Sequence, residues 1–211
     1  MTTPSLALFI VSSLVLLLTP GPAVLYIIAR SINQGRQAGV VSAVGLSLGT
    51  LVHVFAAAFG LSALLATSAI AFNVVKLLGA AYLIYLGIKT LRTPLPTDTT
   101  VEAPPRQLKQ IFVQGFIVNV LNPKLALFFF AYLPQFVDMS SGSVAGQIVM
   151  LGMIFTALGI ISDSLYAIVS GTLGRWLKNN PTFVKMQRTV SGVVYIFLGA
   201  TTALAGADTK S

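Results

Sequence analysis

Six runs of apolar residues dominate this chain, each about 20 residues long, the length that carries a helix across a ~30 Å hydrocarbon layer at ~1.5 Å per residue. Lipid offers no hydrogen-bond partners, so each run has to close its own backbone ladder as a helix. Charged residues make up only 9% of the 211, against roughly a quarter in a soluble domain. A water-soluble core has no use for so much apolar sequence. The runs predict spans at 5–28, 39–64, 70–89, 110–133, 147–171 and 189–206, an all-α integral membrane protein. Residues 1–18 lack a basic n-region and read as a retained first span rather than a cleaved signal peptide.

The loops sort by charge. Arg30 and Arg36 fall in 29–38; Lys89, Arg92, Arg106 and Lys109 in 89–109; Arg175, Lys178, Lys185 and Arg188 in 172–188. The connections 65–69 and 134–146 carry no Lys or Arg. Basic loops stay in the cytoplasm, which puts both termini outside the cell membrane, in the periplasm. Trp176, beside Arg175 and Lys178, fits an anchor at the cytoplasmic interface. The net charge of +8 is thus spent on membrane orientation, and no basic helical stripe invites nucleic acid. The chain has no cysteine, which removes disulfides and thiolate chemistry.

Three spans lie on either side of residues 92–109, whose Pro94, Pro96, Pro104 and Pro105 resist helix and read as a cytoplasmic linker. The halves, 1–91 and 110–211, echo one another. Leu18-Thr19-Pro20 answers Leu121-Asn122-Pro123, and Gly79-Ala80-Ala81-Tyr82 with Gly87 answers Gly192-Val193-Val194-Tyr195 with Gly199. An odd number of spans per half inverts the second half relative to the first. The predicted architecture is six transmembrane helices in two inverted three-helix repeats, with helices 1 and 4 broken.

Those breaks carry the functional reading. Proline in a helix removes a donor and clashes with the preceding turn, at ~3 kcal/mol or more. Thr and Asn are preferred N-caps and proline a preferred first residue, so Thr19-Pro20 and Asn122-Pro123 each predict the end of one half-helix and the capped start of another. Both new N-termini lie near the middle of the membrane, where unpaired N–H groups and about half a positive charge suit an anion. Matched breaks in corresponding spans point to a transporter's substrate site. The plainer alternative is a pair of proline kinks that only help packing.

Two charges lie deep in the spans, Lys124 in span 4 and Asp163 about 18 Å along the helix from Arg175. Intramembrane charges are functional candidates by default. Asp163, the lone acid within any span, is a candidate proton carrier; a fixed Asp163–Lys124 pair is the structural alternative. Lys76 lies near the outer end of span 3, within reach of the interface. His53 shares a face with Ser42, Gly45 and Gly49 and reads as a packing residue in a small-xxx-small seam, with a proton relay as the alternative. One His and no Cys build no metal cluster, and no phosphate-cradling loop is present, so no cofactor is expected.

Taken together, these residues resemble the lysine exporter (LysE/RhtB) family of small amino-acid efflux proteins. The elements that carry the resemblance are Thr19-Pro20-Gly21-Pro22, Gly35-Arg36-Gln37-Ala38-Gly39, the run Lys76 to Gly87, Asn119, Leu121-Asn122-Pro123-Lys124 and Asp163. The resemblance implies export of an L-amino acid or close derivative from a bacterial inner membrane, driven by the proton gradient. On that reading the substrate carboxylate rests on the amides after Pro20 and Pro123, where Gly21 and Pro22 shape the first turn. Thr19, Asn119 and Asn122 orient it, and Lys124 supplies charge or neutralises Asp163. A single intramembrane carboxylate leans toward neutral or apolar amino acids over cationic ones. The partners are then a small-molecule substrate, protons and membrane lipid, and small-residue faces permit a homodimer.

A passive channel, an exporter of another small solute and a non-transporting membrane scaffold are the competing readings. An enzyme is disfavoured, because His53 with a serine is the sole conceivable nucleophile–base pair. The orientation is testable with a single cysteine at Thr99. An impermeant thiol reagent should label it only after the membrane is opened; labelling from outside intact cells would reverse the topology.

Overall fold

The computed structural model describes residues 3–67, 69–92, 107–138, 140–178 and 181–204. Among them every regular element is helical. α1 spans Thr3–Leu18, α2 Pro22–Thr67, α3 Ala69–Arg92 and α4 Leu108–Val120; α5 spans Pro123–Leu127, α6 Val144–Lys178 and α7 Pro181–Leu204. The linker residues 93–106 and the side chain of Trp176 lie outside the described residues.

α2 is not one rod. Gly35 has φ 82° and ψ 178°, a backbone open to glycine and strained for other residues. In a straight helix residues 31 and 39 stand ~12 Å apart along the axis. Here the Ser31 hydroxyl fills the place a Cβ on Gly39 would take, and Ile27 packs with Ala43 and Leu46. The chain therefore doubles back at Gly35, and the loop expected over 29–38 shrinks to one residue between two helices. Arg30, expected in that loop, is only 4% exposed. It donates to Gln34 Oε1 at 3.2 Å and Gln114 Oε1 at 3.1 Å, with its guanidinium 5.5 Å from the Tyr26 ring centre. The flat, weakly hydrated guanidinium suits such a site. Lys76 is also only 8% exposed.

Small residues set the helix contacts. Residues 36–67 run parallel to α4, with Gly45 against the Phe112 backbone and Gly49 against Phe116 and Asn119. The same stretch runs antiparallel to α6, Gly152 meeting Val54 and Gly171 meeting Arg36. α3 and α7 pair antiparallel, Gly87 facing Gly192 and Gly199 facing Ala80. Backbones approach this closely only where no side chain intervenes.

α4 and α5 form a bent pair, Leu108–Val120 with Pro123–Phe136, turned by 43°. Past Leu127 the helix widens into a π turn, Phe128–Tyr132, and tightens into a 3₁₀ turn, Leu133–Phe136. Pro134 accounts for the change, since it has no N–H for the Phe130 carbonyl and its ring clashes there. The aromatic side chains this presents, Phe128, Phe129 and Tyr132, join Phe9, Phe136 and Phe155 in the core. Large apolar residues such as Leu8, Val11, Ile161, Leu165 and Phe197 are exposed, the surface of a protein whose solvent is lipid. Val144–Thr172 is long and apolar enough to cross a membrane, and so, past the turn at Gly35, are residues 36–60 within Pro22–Gly60.

The seam at Gly49 gives a prediction. A Cβ there would lie 2.8 Å from the Phe116 carbonyl oxygen, whereas one at Gly60 meets nothing closer than 3.7 Å. Gly49→Ala should lower the unfolding temperature in detergent, at a cost of about 1–3 kcal/mol. Gly60→Ala should leave that temperature unchanged.

Candidate functional site

At the first break, two prolines strip the end of α1 of donors. In a continuing helix Pro20 would serve the Leu16 carbonyl and Pro22 the Leu18 carbonyl, and neither has an N–H. Other groups take over. Thr19 N donates to the Leu16 and Val15 carbonyls at 3.1 Å, and Thr19 Oγ1 to the Val15 carbonyl at 2.6 Å. Tyr166 donates its hydroxyl to the Leu18 carbonyl at 2.8 Å. Lys124 Nζ donates to the Thr19 carbonyl. Thr19 thus closes the first half-helix rather than capping the second, and the new helix starts at Pro22. Pro22 disfavours helical dihedrals at Gly21 before it, which puts the start two residues downstream of the expected one.

The second break follows its sequence. Asn122 caps α5, its side-chain oxygen accepting from Lys124 N at 3.1 Å, with Pro123 in the first turn. Leu125 N and Ala126 N both donate to the Asn122 carbonyl. The amides after Pro123 are therefore already engaged. The first turn of α2 differs: by helix geometry Ala23 and Val24 present N–H groups with no intrahelical acceptor.

A polar ladder braces the second break. Asn119 Nδ2 donates to the Leu46 carbonyl and to Thr50 Oγ1, and Asn122 Nδ2 donates to Asn119 Oδ1 at 3.3 Å. His53 Nε2 lies 3.0 Å from the Asn119 carbonyl, which only a protonated nitrogen can use. His53 also stacks on Phe129, 6.2 Å between ring centres.

Between the breaks lies a cavity holding about 420 Å³ of empty space, including the part open to the exterior. Its polar lining is Ser47, Thr50, Asn119, Asn122, Lys124 and Asp163; Leu16, Leu17, Val24, Leu125 and Phe155 supply apolar wall. Lys124 is 6% exposed and Asp163 9%. Among the described residues no hydrogen bond or ion-pair contact joins them, although each lies near enough to feel the other's charge. Lys124 instead sits at the C-terminal end of α1, where the helix dipole favours a cation, with Nζ 5.9 Å from the Tyr195 ring centre.

Of the residues expected to bind substrate, Asn119, Asn122 and Lys124 line the cavity together with Asp163. Thr19 and Gly21 stand at its edge, against Lys124 and the Tyr195 hydroxyl. Pro20, Pro22 and Pro123 shape the backbone without lining the space. Ser47, Thr50, Tyr166 and Tyr195 were missed. Ser47, Thr50 and His53 recur every third residue in an apolar helix, a polar stripe visible in the sequence. Among the described residues no cluster fit for a metal ion occurs.

A model of the LysE type translocator family matches residues 14–206. Uncharacterized membrane protein YrhP of Bacillus subtilis (strain 168) is 30% identical over 209 residues, covering 95% of this chain and 99% of its own length. The homoserine/homoserine lactone efflux protein of Salmonella typhimurium is 30% identical over 197 residues, 93% of this chain and 95% of its own. The protein of the same name from Salmonella typhi is 31% identical with the same coverage. No solved structure matches.

The cap at Asn122 is directly testable. Asn122→Ala should destabilise the folded protein in detergent by about 1 kcal/mol. Asn122→Ser, a good cap that keeps an accepting oxygen and adds no charge, should recover part of that loss in the same unfolding measurement.

Proposed function

This chain is a multi-pass membrane protein of the LysE type translocator family, and from that premise we propose that it is a secondary transporter exporting L-amino acids or close derivatives across a bacterial inner membrane. The observation that carries the reading is the meeting of two helix breaks at one cavity that holds both a buried lysine and a buried aspartate. The names of the two Salmonella relatives, homoserine/homoserine lactone efflux protein, support the substrate class. Membership of a translocator family favours transport over catalysis.

The architecture that fits is six spans in two inverted repeats, 1–91 and 110–211, joined by a cytoplasmic linker over 92–109, with both termini periplasmic. In its support, residues 36–67 run parallel to α4 and antiparallel to α6, and α3 runs antiparallel to α7. Six spans threaded alternately through a bilayer require those directions.

The substrate carboxylate is directed to the first turn of α2 and to Lys124, because the amides after Pro123 are engaged. Gly21 gives it room: a Cβ there would lie 3.1 Å from the Tyr195 hydroxyl and 3.4 Å from Lys124 Cδ. Pro20, Pro22 and Pro123 hold the breaks open; Thr19, Asn119 and Asn122 supply orienting oxygens and amides. Leu16, Leu17, Val24, Leu125 and Phe155 suit a neutral or apolar side chain. Asp163, facing the same space, is the residue through which the proton gradient acts.

The test is efflux of labelled L-amino acids from proteoliposomes, with and without an imposed proton gradient. Saturable, gradient-stimulated efflux of one amino-acid class is expected, and Asp163→Asn should abolish the stimulation. Pro20→Ala with Pro123→Ala should lose transport in protein that still inserts. Non-saturable flux, indifferent to substrate on the far side, would instead mark a passive channel.

A further inference from the structure

Lys124 ties the two breaks together. Its backbone belongs to the second break and its ammonium to the Thr19 carbonyl of the first, 105 residues away in sequence. The bond joins a full charge to a neutral oxygen. Asp163 lies on the wall of the same cavity, out of contact with Lys124 among the described residues. A carboxylate is a stronger partner for an ammonium than a carbonyl is. The stronger partner inside the chain is therefore near enough to act through space but not hydrogen-bonded to Nζ.

We propose that Lys124 is a tether displaced by substrate: the substrate carboxylate takes over Lys124 Nζ, while the substrate ammonium replaces Nζ on the Thr19 carbonyl and faces Asp163. The first break is then untied only by a ligand that brings both charges. A ligand with the ammonium alone leaves Lys124 buried without an anion and beside a like charge, which is costly. A ligand with the carboxylate alone draws Nζ away but leaves the Thr19 carbonyl buried and unserved. Tyr195, its ring beside Nζ in the tethered position, keeps an apolar and π-rich wall around the ammonium as it moves. Lys124 is on this view a specificity-determining residue that reads the two-charge backbone of an amino acid, whatever its side chain. The inference rests on the exporter reading.

The test takes any amino acid the reconstituted protein exports and competes its efflux with three compounds. These are the same amino acid, its carboxamide and its deaminated counterpart. In the unaltered protein both single-charge analogues should compete about tenfold or more weakly than the amino acid, the worth of one charged hydrogen bond. Lys124→Gln keeps a donor for the Thr19 carbonyl but carries no charge. It should erase the preference for the amino acid over its carboxamide, while the deaminated analogue stays weak. The comparison in unaltered protein stands whether or not that variant inserts. Saturable export with equal competition by the carboxamide would overturn the tether and leave the exporter standing. A preference that survives in K124Q would do the same. Absence of saturable efflux for every amino acid would remove both.

Discussion

A carbonyl freed inside a bilayer has no solvent to fall back on, and the site here follows from how the first break meets that demand. Three carbonyls at the end of α1, those of Leu16, Leu18 and Thr19, are served by Thr19 N, the Tyr166 hydroxyl and Lys124 Nζ. Two of the three donors come from distant elements, α6 and α5. The cost of breaking one helix is thus offset by side chains that also fix where three helices meet. Lys124 reaches Thr19 because Asn122 caps α5 and aims it there, and Asn122 is held in turn by Asn119. Asn119 depends on Gly49, which lets α4 come close enough for bonds to Leu46 and Thr50.

The two breaks are alike in sequence and unlike in chemistry. The second is self-contained, since Asn122 satisfies the amides after Pro123 with its own side chain and carbonyl. The first relies on others: its carbonyls take donors from Tyr166 and Lys124, and Ala23 and Val24 of the first turn of α2 line the cavity. Two breaks of similar sequence thus end differently: the second serves its own amides, and the first leans on side chains from other helices. The asymmetry traces to Pro22, which has no counterpart two residues after Pro123.

Much of this was legible from residue types. The spacing of Gly45 and Gly49 marked a close seam, Asn122-Pro123 marked a capped start, and the depths of Lys124 and Asp163 brought them to one level. The turn at Gly35 was not legible, because polar residues 30–37 look like an ordinary loop when their helical partners are unknown. Arg30 misled for the same reason, since its Gln114 and Tyr26 partners lie on other elements. Thr19 was assigned to the wrong half-helix because capping propensity describes one end at a time, while Pro20 and Pro22 act jointly across the break. The π turn is not legible either, because the strain of Pro134 is felt upstream of it, in residues that read as ordinary helix.

The central claim is that substrate occupies the space between the breaks. The chain has no cysteine, so a single one placed at Ser47 reports on that space alone. Its alkylation by a small water-soluble thiol reagent should slow, saturably, as an exported amino acid is added, while a cysteine at Ser140 in an exposed turn should react at an unchanged rate. Equal alkylation at Ser47 with and without saturating substrate would contradict the claim and move the site elsewhere.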